Sequence, residues 1–211
     1  SVGAAGISRN CLWATSATYI PCLRKVPTMR HLDPDAMKGF AGELIAHTGA
    51  DDDVAEAVAS SLVGADLRGH PSHGVQLVPS YYRRIDDGEI DPDARAEIVD
   101  EDDLSALVDG NRSFGQAVGR TAVDAAIRKA QSRSLSIVGV RRATHLGRIG
   151  EFAERAAGAG LGFAAFVSMT SGRPVAPPGS GERRFGTNPV AFGLPTFGAL
   201  DHPLLVDVAT S

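Results

Sequence analysis

From Ser105 onward, short apolar runs alternate with stretches of helical periodicity, and this alternation restricts the fold more than any other feature. Ser105–Val108, Leu135–Val140, Leu161–Val167, Val190–Leu194 and Leu204–Val208 read as strands. Between them, Val118, Ala122, Ala126, Ile127 and Ala130 recur at helical spacing over 116–132, and 150–158 is helical again. Strands separated by helices call for an α/β layered domain, because each sheet face needs a helical cover.

The preceding stretch is helical. Asp33-Pro34 supplies an N-cap and a proline at the first helical position, and Gly49 ends the helix. Met37, Phe40, Ala41, Leu44 and Ile45 fall on one face of it. A second helix starts at the acidic Asp51-Asp52-Asp53, favourable at the positive end of a helix dipole, and stops at Gly69 and Pro71. Residues 86–103 read as an acidic, Pro-containing excursion with a short strand near Ile98-Val99, and Asp109-Gly110-Asn111 as a turn. The chain therefore divides into 1–30 as a leader or non-native extension, 31–103 as a small helical domain, and 104–211 as the α/β domain.

Residues 1–32 carry Arg9, Arg24, Lys25 and Arg30 and no acid, a composition shared by transit peptides and by translated stretches upstream of a start such as Met29. No secretory apolar core is present there, and Cys11 and Cys22 are the only cysteines, so the body of the chain suits a reducing, cytoplasmic setting. A net charge of -4 provides no electrostatic footprint for nucleic acid, and no apolar run approaches the length of a bilayer span. Ser211 falls three residues after a strand, with no closing helix, so the sheet is expected to be interrupted at the C-terminus.

Three histidines sit in loops. His70 and His73 lie in Arg68-Gly69-His70-Pro71-Ser72-His73-Gly74, and His145 lies between a buried-type strand and a helix start. Ligands bind beyond the carboxyl ends of strands in open α/β sheets, and imidazole is suited to moving a proton near neutral pH. A histidine in a loop is more often a surface or capping residue, so position alone defines a cleft and no reaction. Asp66, His70 and His73 have a spacing that could hold a divalent metal, against which Pro71 breaks the helix needed to align them. No G-x-G-x-x-G follows a strand, and neither a P-loop nor a G-x-S-x-G elbow is present.

Four blocks in order carry a resemblance: ADLRGHPSHGV at 65–75, RRATHLGRIGEFAERAAGAG at 141–160, RFGTNPVAFGLP at 184–195 and LLVDVATS at 204–211. Together they resemble the malate/L-lactate dehydrogenase family, also called the sulfolactate dehydrogenase-like oxidoreductases, over roughly 31–211. HPSHGVQLVPSYY, HLGRIG and FVSMTSGRPVAP look closest to its hydroxycarboxylate dehydrogenase B branch. The resemblance implies an α/β fold in which NAD or NADP sits on a non-Rossmann mixed sheet beside a small helical N-terminal domain. It also implies a homodimer and a chain longer than this one. It would explain the missing glycine fingerprint.

Residue by residue, the resemblance implies His145 as acid/base, with Ser72 and His73 beside it at the reacting oxygen. Tyr81 would line the substrate pocket. The family's asparagine before the histidine is here Arg142, and an arginine common after Ser-His-Gly-Val is here Leu77, so either Arg68 or Arg148 would clamp the substrate carboxylate or the substrate would be bulkier and more apolar. Gly186, Thr187 and Asn188, with Asp207, Ala209, Thr210 and Ser211, would lie along the cofactor. The reaction implied is hydride transfer between NAD(P) and a 2-hydroxy or 2-oxo acid such as malate, lactate or a bulkier hydroxycarboxylate. The alternative is a non-catalytic member that retains the loops and the dimer surface as a binding module.

Overall fold

The computed structural model describes residues 31–169, 172 and 174–210; the expected leader and Ser211 lie outside them. Helix α1 (Pro34–Ala46) starts as its sequence demands, with Asp33 Oδ1 accepting the Ala36 N–H at 2.9 Å. At its far end Gly49 adopts φ +101°, a left-handed conformation open to glycine. In α2 (Asp52–Leu67) the acidic start has a second use: Asp51 and Asp53 both pair with Arg95, which ties the helix to the following excursion.

The inner stripes of α1 and α2 meet in one core, where Ile45, Val58 and Leu62 are fully buried beside Val54, Val78, Tyr81 and Phe114. Each such aliphatic side chain contributes roughly 1.5–3 kcal/mol relative to exposure. Tyr81 and Val78 belong to α3 (Val78–Asp86), a helix not expected from the sequence. Its signal was present: Val78, Tyr81, Tyr82 and Ile85 recur at helical spacing and face that core. Two single-turn 3-10 segments, Pro71–His73 and Val75–Leu77, lead into it.

Between α2 and α3 the chain folds back onto the end of α2. Asp66 Oδ2 accepts the Val75 N–H at 2.9 Å, and Gly74 presses so tightly on the Asp66 carboxylate that any Cβ there would overlap it. Glycine is required by close approach at this point.

The strands form two three-stranded sheets. In the first, β1 (Glu97–Glu101) runs antiparallel to β2 (Ser105–Asp109), and β2 pairs in parallel with β3 (Ile137–Arg141), Leu107 opposite Gly139. Helix α4 (Gly115–Arg133) makes the connection from β2 to β3 that parallel pairing requires. In the second, β4 (Phe163–Phe166), β5 (Pro189–Leu194) and β6 (Leu204–Ala209) are antiparallel in that order. Helix α5 (Gly150–Gly158) packs through Phe152 and Ala156 onto Ala191 of β5. The fold is thus mixed α/β with a helical start, as expected. Among the described residues no helix is long and apolar enough to cross a membrane.

Candidate active site

His145 lies in the loop joining β3 to α5, and this loop is held from three sides. Arg141 and Arg142 each place Nε 2.7 Å from the buried Asp109 carboxylate at the end of β2. The two guanidiniums, Arg142 foremost, and the Asn111 N–H hold that carboxyl far below the usual aspartate range. Arg142 therefore anchors the loop through charge, with its own φ at +50°. Thr144 Oγ1 donates to the Ser113 carbonyl at 2.8 Å and accepts the Gly115 N–H at 3.0 Å.

These anchors turn the His145 ring onto α3. Its Nδ1 lies 2.9 Å from Tyr81 Oη, and Gln116 Nε2 donates to the same hydroxyl at 2.6 Å. Tyr81 is only 2% exposed and its ring meets Phe114 edge-on at 5.9 Å. Burial pushes the phenol up to about 12, so it remains protonated at neutral pH. Burial also pushes His145 down to about 4, with repulsion from His73 and Arg84 adding to the effect. The imidazole is therefore neutral at pH 7. Among the described residues its Nε2 makes no hydrogen bond, leaving one nitrogen fixed and the other open.

His73 stacks on His145 with ring centres 5.4 Å apart, and Ser72 Oγ lies 3.0 Å from His73 Nδ1. Burial, then repulsion from His70, lowers the His73 pKa as well. The three residues expected at the reacting oxygen, His145, His73 and Ser72, thus form one group. Asp66 does not join His70 and His73, because its carboxylate is spent on Val75 and sits against Gly74. Among the described residues no three His, Cys, Asp or Glu side chains are grouped to hold a metal ion.

His70, 6.4 Å from His73 ring to ring, stands on the rim of an open cleft of about 910 Å³. The cleft wall includes Arg68, Arg148, His202, Leu205 and Asp207, but it stops short of His145. Arg68 and Arg148 converge on Glu154 from opposite oxygens, at 2.7 and 2.8 Å. Arg148 is 7% exposed, so Glu154 is its compensating charge. Asp207 Oδ2 accepts the Gly150 N–H at 2.7 Å, where α5 begins.

The 186–188 turn and the end of β6 meet as neighbours. Thr210 Oγ1 donates to the Asn188 carbonyl at 2.8 Å, and the Thr210 N–H reaches the Thr187 carbonyl at 3.2 Å. Gly186 is buried against Met169, where a Cβ would come within 2.6 Å of the methionine Cβ, and Ala209 lies opposite Pro189 in the β5–β6 pair. Sequence reasoning overlooked Gln116, Asp109 and Glu154 as parts of the site. Gln116 had a signal: it is a polar residue on the inward face of α4, with no exposure at all.

A buried neutral histidine, backed by a tyrosine and lying beside a second histidine, is chemically able to take up and release a proton. The family model for malate/L-lactate dehydrogenase matches residues 32–211, and the chain belongs to that family. It is 42% identical over 178 residues to malate dehydrogenase of Pyrococcus abyssi, covering 84% of this chain and 48% of the relative. Hydroxycarboxylate dehydrogenase B of Escherichia coli O157:H7 is 36% identical over 179 residues, covering 85% and 49%. The solved structure of malate dehydrogenase from Pyrococcus horikoshii superposes with a TM-score of 0.78 at 37% identity, over 86% of this chain and 51% of that one. The chain thus spans about half the length of the relatives it matches.

Proposed function

We propose that this chain carries the acid/base and substrate-side part of a dehydrogenase that moves a hydride between NAD or NADP and a 2-hydroxy or 2-oxo acid. The observation that carries this reading is His145: neutral, fixed through Nδ1 to a buried tyrosine, and open at Nε2. In oxidation of the acid, Nε2 takes the hydroxyl proton; in reduction, the imidazolium returns it to the developing alkoxide. His73 and Ser72, grouped with His145, would donate hydrogen bonds to that oxygen. Arg68 and Arg148 supply the cation for the substrate carboxylate, since each guanidinium has N–H donors beyond those used on Glu154.

The residues present fit a nicotinamide nucleotide: the cleft combines the guanidiniums of Arg68 and Arg148 with apolar Leu200 and Leu205. By their place in the motifs, Gly186, Thr187, Asn188, Asp207, Ala209, Thr210 and Ser211 would hold it, and of these Asp207 lines the cleft. When bound, the nicotinamide supplies the acceptor or donor of the hydride. Association as a homodimer is part of the same proposal. The register of the second sheet puts Phe166, Phe192, Leu194, Leu204, Val206 and Val208 on one exposed apolar face, opposite the face covered by α5. The same face would serve the second reading, a non-catalytic binding module. A cytoplasmic location is proposed from the cysteine-free body.

The test is turnover of malate, lactate and longer 2-hydroxy acids with NAD and with NADP, for the wild type and for His145→Ala. Removing a general acid/base should lower kcat about 10²–10⁴-fold and leave cofactor affinity nearly intact. Unchanged kcat would sink the assignment. Absence of any NAD(P)H binding to the chain, by nicotinamide fluorescence, would favour the binding module.

A further inference from the structure

The chain Gln116–Tyr81–His145 contains an ambiguity that the acid/base reading must resolve. A phenol has one proton to donate. With Gln116 Nε2 donating to Tyr81 Oη, the tyrosine proton goes to His145 Nδ1, and a neutral imidazole then carries its own proton on Nε2. That tautomer presents N–H to the open side and cannot accept a proton there. It also leaves Gln116 Oε1 buried with no hydrogen-bond partner among the described residues.

Rotating the amide by half a turn exchanges its two ends at the same positions. Oε1 then accepts the Tyr81 proton, Tyr81 Oη accepts from His145 Nδ1–H, and the Nε2 lone pair faces the open side. Only this arrangement also suits the imidazolium, because both of its nitrogens are donors. The rotation exchanges which end of the amide is left without a partner, and it is the end facing Tyr81 that decides the histidine proton. Ser61 Oγ, the other buried side-chain atom without a partner among the described residues, and Gln116 Nε2 both lie within 3.5 Å of where a Cβ on Gly147 would sit.

We propose that Gln116 is the positioning residue that sets the tautomer of His145, presenting Oε1 to Tyr81 so that the histidine proton is held on Nδ1 and Nε2 is free to act. This deepens the acid/base reading and rests on it. Gln116 is fully buried and acts through Tyr81. Both reaction directions need the same arrangement, since the histidine that accepts a proton in oxidation is the one left behind after donating in reduction. The charged and titratable groups facing the imidazole are Tyr81 and Arg84 on α3 and His73 on the 71–73 turn; Arg84 and His73 are retained in every variant below, and Tyr81 in the single variants of residue 116.

The experiment is ¹⁵N-histidine NMR of this chain, which reads the protonation of each ring nitrogen without turnover. At pH 7.5 the wild type should show His145 protonated on Nδ1. Gln116→Met removes the acceptor, so Tyr81 donates to Nδ1 and the proton should move to Nε2. Gln116→Glu can only accept; it should hold the proton on Nδ1 and raise the His145 pKa by about 1–3, as a nearby carboxylate does. Tyr81→Phe breaks the relay, and in that background Gln116→Glu should lose most of its effect on His145. A wild type protonated on Nε2, or one tautomer common to the wild type and both variants, would overturn the proposal. If Gln116→Met fails to fold by its thermal melt, the Tyr81→Phe comparison decides alone: an equal pKa rise with and without the hydroxyl means through-space charge and refutes the relay. Failure of His145→Ala to reduce turnover would remove the acid/base reading but would leave these tautomer results as they stand, so the two failures are distinguishable.

Discussion

The Cα of Gly115, first residue of α4, presses on the carbonyl of His145, so that a Cβ at 115 would overlap that oxygen and the carbonyl of Thr144. The histidine loop is thus seated on the helix start through backbone contact, which no side-chain adjustment can relieve. Gly115→Ala should therefore displace the loop and lengthen the Tyr81–His145 bond. Overpacking of this kind costs about 1–3 kcal/mol. The expected outcome is a lower urea midpoint together with a His145 pKa closer to that of a free histidine. A variant with wild-type stability and an unchanged His145 titration would show that the loop is not held this way.

The depressed His145 pKa also fixes a direction for stability against pH. In the unfolded chain the imidazole titrates near the model value of 6.5, and in the fold it is pushed down to about 4. Between these values the unfolded state binds more protons, so stability is fully present above about 6.5 and is lost as pH falls toward 4. The size is roughly 3 kcal/mol at one pH unit per 1.4 kcal/mol. His73, also lowered, adds a loss of the same sign. Urea unfolding at pH 7 and pH 4.5 should show this decline, and His145→Gln should flatten a large part of it. An identical decline in the variant would assign the pH dependence to other groups.

Asp109 joins the two arginines that lead into the histidine loop. Asp109→Asn removes the charge that both Arg141 and Arg142 approach, whereas Arg142→Asn leaves the Arg141 bond in place and puts a residue tolerant of positive φ at 142. The first substitution should lower the urea midpoint clearly more than the second. The Asp109 carboxyl is held low, so its contribution is present above the ordinary aspartate pKa and is lost as pH falls toward the depressed folded value. The reverse order of midpoints would mean that Arg142, not Asp109, is the anchor.

Much of this architecture could be read from residue order. The strands at 105–108, 190–194 and 204–208 and the helix at 150–158 are set by local apolar pattern and by glycine at the boundaries, and they formed where that pattern put them. Helix α3 escaped because the Gly- and Pro-containing stretch 68–74 before it read as loop, while its apolar spacing has meaning only against the α1–α2 core. His145, His73 and Ser72 were visible as a motif, and the fold brings them together. Gln116, Asp109 and Glu154 acquire their roles from partners 35, 33 and 86 residues away, Tyr81, Arg142 and Arg68, and no periodicity encodes such pairings.

Glu154 has the clearest energetic role in the cleft wall. It compensates Arg148, which is 7% exposed, and binds Arg68 through its other oxygen. Removing one partner of a buried ion pair leaves an uncompensated charge, at a cost of about 3–5 kcal/mol, and that cost is reduced here because Arg68 and the cleft remain solvated. Glu154→Ala should therefore destabilise the fold by about 2–4 kcal/mol by urea unfolding. The freed guanidiniums should also favour an added anion, since nothing on Glu154 then competes for them. Adding a 2-oxo acid such as oxaloacetate should recover more midpoint in Glu154→Ala than in the wild type. Equal recovery in both would show that Arg68 and Arg148 do not hold the substrate carboxylate, and the clamp would have to be sought elsewhere in the fold.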